Sequence, residues 1–495
     1  MPCTTILVGK RATYDGSTII ARNEDSPNGE FCPKRMQVVL PADQPRHYRS
    51  VISHLEIDLS GLVPVRYSAV PNALTDEGVW AASGINDHDV AMSATETLTT
   101  NERVLGADPL VELRPAVGKP GDPDYQPEVP GGIGEEDIVT LVLPYVRSAR
   151  EGVLRLGSLL ERYGTYEMNG IAFSDLDEVW WLETVGGHHW IARRVPDDCY
   201  VTMPNQLGID RFDLSDAERR GKSYLCSPDL RTWIADNHLD LTVRTTGEPG
   251  DVFNPREAFG SASDVDHIYN TPRSWSMQRW LNPHGSVWEG PNADYTPESD
   301  DIPWMRRPEH LITIEDVKHV LSLHYQGTEF DCYGARGTEE TRNRYRPIGI
   351  NRNDQLSVLQ LRPYAPEGLR GVQWMAFGSN PFNALVALFA QVDEMPEYLS
   401  NTSAQVSTDS FYWTNRLIGA LADSCFNGCA ADIERYQQKV GALGHRMLTL
   451  GDAHEAAKAN ERLVRELRRQ TGDLLAKVLL ISSMGMRNGF ARSDG

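Results

Sequence analysis

The sequence predicts an α+β protein, with strands in roughly its first 400 residues and helices in the remainder. Two observations predict this class. Short β-branched and apolar runs bounded by turn residues recur as far as position 377, which is typical of strands. From about Tyr412 onward the apolar residues instead recur every three or four positions, most regularly over 455–484, which is typical of amphipathic helices.

The chain opens with a predicted hairpin. Residues 4–8 and 17–22 are rich in β-branched and apolar side chains, and the dipeptide Asp15-Gly16 between them is a strong turn signal. Pairing about this turn brings the end of the second strand back toward the chain start. With a two-residue loop, Asp25 would fall three residues short of Cys3, so contact between them requires a bulge or a longer loop.

The remaining elements follow from the same patterns. A helix is predicted over Ala149–Tyr163 from its apolar spacing. Long stretches rich in Pro, Gly and Asp predict loop insertions near 101–134 and 282–345, in a main domain of residues 1–410 that precedes a helical extension of residues 411–495. Further strands are predicted at Gly78–Ser83, Val90–Thr95, Gly170–Phe173, Val179–Glu183, His189–Arg193, Tyr200–Met203, Leu356–Arg362 and Val372–Phe377.

Composition excludes several functional classes. The 48 Lys and Arg against 69 Asp and Glu give a net charge of -21, which repels nucleic acids and anionic membranes. No stretch is long and apolar enough to cross a membrane, and no signal peptide is recognisable. The seven cysteines are scattered without disulfide or metal-site spacing, so we expect a reducing, cytoplasmic compartment and no bound metal.

Cys3 is the first candidate functional residue because only two residues precede it. If Met1 and Pro2 are removed, Cys3 carries both a thiol with a pKa of about 8.5 and an α-amine with a pKa of about 7.7–8.0. A nucleophile with its own base is then present in one residue. The alternative is a small hydrophobic side chain at the start of a buried strand.

The segment from Arg22 to Asp25 has the groups that such a nucleophile requires. A guanidinium near the sulfur favours the thiolate, and a carboxylate near the α-amine orients it through charge-assisted hydrogen bonds. The alternative is an exposed strand end with scattered charges.

Several blocks of the chain, in the same order, resemble peptidase family C69, a family of dipeptidases that are N-terminal nucleophile (Ntn) hydrolases. The resemblance reaches to about Ala422, and several blocks together are far more specific than any one motif. These blocks are Cys3–Lys10, Asp15–Asp25, Trp180–Thr184, His189–Asp197, Met203–Leu207, His324–Thr328 and Trp374–Gly378.

The resemblance implies an αββα sandwich of two antiparallel sheets between helical layers, and hydrolysis of dipeptides without metal or organic cofactor. Carried over by motif, Cys3 is the nucleophile, Arg22 supports the thiolate, and Asp25 holds the α-amine. Asn205, in Met-Pro-Asn-Gln, matches an Asn that stabilises the oxyanion in related acylases. A homo-oligomer is also expected from the family.

Two further residues are candidates for substrate binding. Glu96 stands where the acylases have a second oxyanion Asn, and an ionised carboxylate is not a donor. We therefore interpret Glu96 as the partner of the substrate's free α-ammonium, against the alternative of a surface charge after a strand. Arg273 matches a late active-site Arg of the acylases, but it could also hold a substrate carboxylate or pair on the surface.

Two other functions remain open at this level. One is an Ntn acylase of the penicillin V acylase and bile salt hydrolase type, and the other is a non-catalytic, secernin-like interaction protein. The N-terminal nucleophile also depends on the removal of Met1 and Pro2, because Pro2 would otherwise block the Cys3 amine.

Overall fold

The structure is a computed structural model that describes residues 3–486 apart from 28, 29, 31, 75, 77 and 244–250. In chain order its strands are β1 (Cys3–Val8), β2 (Thr18–Asp25), β3 (Gln37–Val39), β4 (His47–Arg49), β5 (Glu56–Asp58), β6 (Tyr67–Ala69), β7 (Ser83–Ile85), β8 (Ala91–Thr97), β9 (Asn169–Ser174), β10 (Val179–Thr184), β11 (Trp190–Val195), β12 (Tyr200–Met203), β13 (Phe212–Asp213), β14 (Tyr224–Cys226), β15 (Val252–Phe253), β16 (Met305–Arg306), β17 (Asn353–Leu361), β18 (Gly371–Phe377) and β19 (Val386–Phe389).

The helices are shorter in the first part of the chain and longest at its end. In chain order they are α1 (Glu102–Ala107), α2 (Glu135–Val142), α3 (Ala149–Tyr163), α4 (Leu214–Arg219), α5 (Leu230–Asp236), α6 (Pro255–Phe259), α7 (Asp264–Tyr269), α8 (Thr271–Leu281), α9 (Ile314–Val320), α10 (Glu339–Arg342), α11 (Glu397–Ser400), α12 (Phe411–Ala422), α13 (Phe426–Met447) and α14 (Ala456–Met484).

Two large sheets form the centre of the fold. The first has seven strands in the order β16-β12-β1-β2-β17-β18-β19, and the second has six in the order β14-β11-β10-β9-β8-β7. All of these pairings are antiparallel. The β1–β2 hairpin therefore lies in the middle of the first sheet, with its polar end at one edge of the ladder.

Alternation along the strands explains how the layers pack. Leu7 and Ile20 point between the sheets and share an apolar cluster with Trp181 of the second sheet. Ile6 points to the other face, where it joins a cluster that includes Leu467 of α14. The first sheet is thus buried on both faces, which is why its central strands read as continuous apolar runs.

Helices α2 and α3 cover the outer face of the second sheet. They pack there against Phe173 of β9 and Trp190 of β11. Two glycines let α3 approach this closely, because a Cβ on Gly152 would lie 2.6 Å from the Phe173 ring and one on Gly157 would lie 2.3 Å from the Trp190 ring. The layers run helix, sheet, sheet, helix. The predicted mixed α+β class with antiparallel sheets and a helical C-terminal region is confirmed.

Most predicted elements coincide with observed ones, including 149–163 and 200–203. The predicted hairpin forms with a longer loop, which contains Gly16 at φ 81°. The strand predicted at Gly78–Ser83 is wrong except for its last residue. Trp80 and Ala82 have positive φ angles of 47° and 56°, which a strand does not accommodate.

The C-terminal helices pack on the first sheet and on one another. Helix α14 contacts α12, α13 and β19, and α13 also contacts β19. The domain boundaries at 410 and 411 stay a prediction. Among the described helices, none is both long enough and apolar enough to span a bilayer.

Candidate active site

The start of β1 lies opposite the end of β2, and this pairing builds the site. In the ladder Cys3 stands opposite Glu24, and Thr5 stands opposite Arg22. Because side chains alternate along a strand, these four residues share the face that points toward the second sheet. Asp25, one step beyond the Cys3–Glu24 pair, belongs to the opposite face.

The Cys3 thiol contacts the guanidinium of Arg22 directly. Arg22 Nη1 lies 3.0 Å from Cys3 Sγ, and both residues are buried. Burial raises the pKa of the Cys3 thiol, and Arg22 opposes this effect without cancelling it. The thiol therefore lies beside a cation that would stabilise its thiolate.

Strand β8 of the second sheet fixes the Arg22 guanidinium. Nη1 donates to the Thr95 carbonyl at 2.8 Å, Nη2 to the Ala94 carbonyl at 2.7 Å, and Nε to Ser93 Oγ at 3.1 Å. These three bonds leave the side chain one orientation, in which Nη1 is directed at the sulfur. The cation is thus placed by both sheets.

Two acidic residues also pair with Arg22. Arg22 pairs with Glu24 at 3.1 Å and with Glu135, the first residue of α2, at 3.5 Å. The buried Lys34 also pairs with Glu24. Although burial raises the pKa of Glu24, Lys34 and Arg22 together hold it below its usual value. The charges around the thiol therefore form a connected network.

Asn205, in the loop after β12, contacts the Cys3 backbone. The Cys3 N–H donates to Asn205 Oδ1 at 3.3 Å, and Asn205 Nδ2 donates to the Thr97 carbonyl at 2.9 Å. One hydrogen of the Asn205 amide then remains for another acceptor. The residue predicted to hold the oxyanion thus lies beside Cys3, and its side-chain carbonyl accepts from the Cys3 nitrogen.

Arg273 lies on α8 and is fully buried, which excludes a surface ion pair. All five of its N–H donors have acceptors. These are the Cys3 carbonyl, Thr4 Oγ1 at 2.7 Å, Asn205 Oδ1 at 2.7 Å, Asn270 Oδ1 at 2.8 Å and the Tyr269 carbonyl at 2.7 Å. Burial first, and then the nearby Arg346, lowers the pKa of Arg273 to about 10.

Asp25 has partners other than the Cys3 nitrogen. Its two carboxylate oxygens accept from Arg346 and from Asn353 Nδ2. Among the described residues, the side chain that receives the Cys3 N–H is Asn205. The predicted partner of the amine thus stands next to the site, at the end of the ladder, and is anchored by an arginine.

Glu96, on β8, is completely buried at the same place. Its Oε2 accepts from Thr5 Oγ1 at 2.8 Å, whereas Oε1 has no hydrogen-bond partner among the described residues. Burial raises the pKa of Glu96 to about 8, against the lowering effects of Arg273 and Thr5. A buried acceptor without a donor is costly, so a cationic ligand would relieve the site.

The structure places Cys3, Arg22, Asn205 and Glu96 close together, and it adds four charged neighbours that were not predicted from the sequence. Glu135 and Arg346 lie far from the hairpin in sequence, and Lys34 follows it in a loop; none of the three belongs to a recognisable motif. The fourth, Glu24, has a signal that strand alternation alone provides. With Cys3 and Arg22 as references, period two places Glu24 on their face.

A metal ion would need ligands elsewhere in the molecule. In the described part of the chain, His324, Asp331 and Cys332 are the three donors close enough to share an ion. His324 Nδ1 is already bonded to Asp331 at 2.7 Å. None of the three contacts Cys3, Arg22 or Asn205 in the described hydrogen-bond network.

The chain was compared with known proteins. The model of Peptidase family C69 matches residues 2–439. The "Dipeptidase" of Bifidobacterium longum is 56% identical over the full length of both chains, and the "Probable dipeptidase A" of Streptococcus pyogenes serotype M3 is 52% identical over both full lengths. The "Dipeptidase A" of Lactobacillus helveticus is 43% identical over 90% of this chain and 87% of its own length. The chain therefore belongs to peptidase family C69, and it is a peptidase, a hydrolase of peptide bonds.

Proposed function

We propose that the chain is a cysteine-type dipeptidase whose nucleophile is Cys3 as the N-terminal residue. The contact of 3.0 Å between Cys3 Sγ and Arg22 Nη1 is the observation that carries this proposal. Relatives at 43–56% identity are named dipeptidases, which supports the substrate class. The four-layer packing supports the Ntn-hydrolase fold in particular.

The proposal requires that Met1 and Pro2 be removed. Initiator Met is removed when a small residue follows, but Pro2 would still block the amine of Cys3. Cleavage of the Pro2–Cys3 bond, by the protein itself or by a peptidase, then completes the site. The freed α-amine keeps the position that Asn205 Oδ1 accepts from in this structure.

The chemistry is acyl transfer in two steps. The α-amine takes the thiol proton as Sγ attacks the scissile carbonyl carbon, and Asn205 Nδ2 with a backbone N–H stabilises the oxyanion. The resulting ammonium gives its proton to the leaving amine, and the C–N bond breaks. Water, deprotonated by the same amine, then hydrolyses the thioester and restores the thiol.

Arg22 offsets the cost of forming a buried thiolate. Burial alone raises the pKa of the Cys3 thiol, so proton transfer to the amine would be unfavourable without a cation at the sulfur. Arg273 has a different task, since its donors are spent on the Cys3 carbonyl and on Asn205. It is a positioning residue that aligns the nucleophile with the oxyanion donor.

Glu96 binds the α-ammonium of the substrate. Its unpaired Oε1 is a buried acceptor, and its other oxygen bonds Thr5, which shares the face of the Cys3 thiol, so a cation there would be desolvated and strongly held. This requirement separates a dipeptidase from an acylase, whose substrates have no free ammonium at that end. A panel of free dipeptides against N-acylated amides distinguishes the two activities.

The decisive experiment combines intact mass with turnover. We expect the purified protein to lack Met1 and Pro2 and to hydrolyse dipeptides in the presence of a chelator. We also expect Cys3→Ala to abolish this activity. Retained Pro2 in fully active protein would contradict the mechanism, and mature protein without any hydrolysis would favour a secernin-like interaction role.

A further inference from the structure

Among the described arginines near Cys3, which are Arg22, Arg273 and Arg346, Arg346 is the one with buried guanidinium donors left unused. Only 7% of the residue is exposed, and one guanidinium nitrogen, Nη2, is bonded to Asp25. Neither Nε nor Nη1 has an acceptor among the described residues. Unpaired guanidinium donors are costly in a protein interior, so they point to a ligand that supplies an anion.

The position of Arg346 links it to the reacting centre. Asp25, its partner, lies at the end of the β1–β2 ladder, one step beyond the residue opposite Cys3. The ring of Tyr269 lies 5.2 Å from the Arg346 guanidinium carbon and 5.1 Å from that of Arg273, which bonds the Cys3 carbonyl. Arg346 thus lies near the end of β1 that carries Cys3, one residue pair away along the ladder.

The charges at this end do not balance. Two guanidinium groups, Arg273 and Arg346, stand near the carboxylate of Asp25, which is hydrogen-bonded to Arg346. Arg273 donates to neutral oxygens alone, so no hydrogen-bonded carboxylate takes up its charge. The hydrogen-bonded partners of the two arginines therefore leave room for one more negative charge.

We propose that Arg346 binds the free α-carboxylate of the dipeptide, on the leaving-group side of the scissile bond. This inference rests on the proposed function and deepens it. Glu96 then fixes the amino end and Arg346 the carboxyl end, so the distance between two charged groups selects substrate length. Each further residue lengthens an extended peptide by about 3.5 Å, which disfavours tripeptides.

The first test uses the unaltered mature enzyme. We expect leucyl-leucine to be hydrolysed with a kcat/KM about 100-fold higher than leucyl-leucinamide, because the amide leaves the buried donors without a charged acceptor. Trileucine should be a similarly poor substrate. Equal rates on the acid and the amide would overturn the proposal without any mutation.

The second test compares two arginines of the same loop. In Arg346→Gln, whose amide still gives Asp25 a donor, the preference for leucyl-leucine over its amide should fall at least tenfold, through loss on the acid. The matched control is Arg344→Gln, since Arg344 is 53% exposed and pairs with Glu298. It loses the same charge and should keep the wild-type preference.

The outcomes separate the two proposals. Equal losses of Arg346→Gln on acid and amide would mean that Arg346 only supports Asp25, and no loss would mean that it does not meet substrate; each result overturns the inference. Thermal unfolding of both variants shows whether the fold is intact. Failure of the proposed function would look different, as a Cys3→Ala protein that still hydrolyses leucyl-leucine.

Discussion

The polar end of the β1–β2 hairpin and the layer of C-terminal helices are both buried, but they bury opposite kinds of groups. At the hairpin end a thiol, arginines and carboxylates are enclosed, and Glu96 and Arg346 keep unpaired atoms. In the helical layer Leu467, Leu474 and Val478 of α14 belong to the apolar cluster over the first sheet. Such apolar burial favours folding, whereas enclosing charged groups costs free energy through desolvation.

The largest expected effect is a loss of activity caused by a substitution at the hairpin end. Cys3→Ala should lower kcat/KM for leucyl-leucine by about 10⁴-fold or more, because no other group attacks the carbonyl. Its melting temperature should stay close to that of the wild type, since the thiol contributes one contact. Cys199→Ala, which removes another buried thiol, is the matched control and should remain fully active. Comparable losses in both variants would contradict a nucleophilic role for Cys3.

Arg22→Gln should affect both activity and stability. Without the guanidinium, the thiolate loses its cation, and Glu24 and Glu135 lose the arginine that both pair with in a buried site. We expect a loss of about 10²–10⁴-fold in kcat/KM and of about 3–5 kcal/mol in the free energy of unfolding. Denaturant titration and initial rates measure the two effects. An active, equally stable variant would show that the network does not depend on its central cation.

Leu467→Ala tests the other side of the comparison. Leu467 is fully buried on α14 and remote from Cys3 in the layered packing. The cavity should cost about 2–5 kcal/mol in the free energy of unfolding, while kcat/KM stays within about twofold of wild type. A large fall in kcat/KM at full folding would mean that the helical layer is coupled to the site.

The same two regions differ in how much of their structure the sequence predicts. The helical layer follows from periodicity, and α14 begins within one residue of the predicted start, because a 3.6-residue repeat is a local signal. The hairpin is also local, and its turn chemistry placed both strands. The sequence does not determine the length of the loop that joins them. The bend between Gly9 and Ser17 depends on contacts with distant residues, such as the hydrogen bond from the Gly9 N–H to the Cys199 carbonyl.

The sequence predicts those site residues that lie in recognisable motifs, and it does not predict the others. Cys3, Arg22 and Asn205 lie in blocks that resemble a family, and they meet around the thiol. Arg346 reaches Asp25 from a loop more than 300 residues away, so neither spacing nor composition indicates it. The protonation behaviour of a buried group such as Glu96 is equally unpredictable from sequence, because its pKa depends on desolvation by the whole fold.

Glu96→Gln should have a smaller effect on activity than the substitutions of Cys3 and Arg22, and the effect should be on KM. We expect KM for leucyl-leucine to rise about tenfold, because the ammonium loses a charged partner, while N-acylated substrates are hydrolysed at unchanged rates. Since burial raises the pKa of Glu96 to about 8, the free enzyme should bind dipeptides more tightly as pH rises toward that value. This pH dependence of kcat/KM should be weaker in the variant. Equal effects on free and acylated substrates would exclude an ammonium-binding role.

The last expected effect leaves activity aside and concerns the pH dependence of the free energy of unfolding. Glu96 has its ordinary pKa near 4.5 when unfolded and a pKa of about 8 when folded, so between these values the native state holds one proton more. Its contribution is therefore fully present below pH 4.5 and is lost as pH rises to 8, at about 1.4 kcal/mol per pH unit. Asp354 and Glu183, with pKa values raised by burial to about 7, act in the same direction.

Denaturant titration between pH 5.5 and 8 should thus show stability falling as pH rises, with a slope that Glu96→Gln reduces. Glu466, on the exposed side of α14, is the matched control, because hydrogen bonds from Arg469 and Gln470 lower the pKa of Glu466 to about 2. It is ionised in both states across this range, so Glu466→Gln should leave the slope unchanged. If both variants keep the wild-type slope, Glu96 is already ionised in the folded protein. The unpaired carboxylate oxygen would then have to be balanced by the cations Arg22 and Arg273 alone.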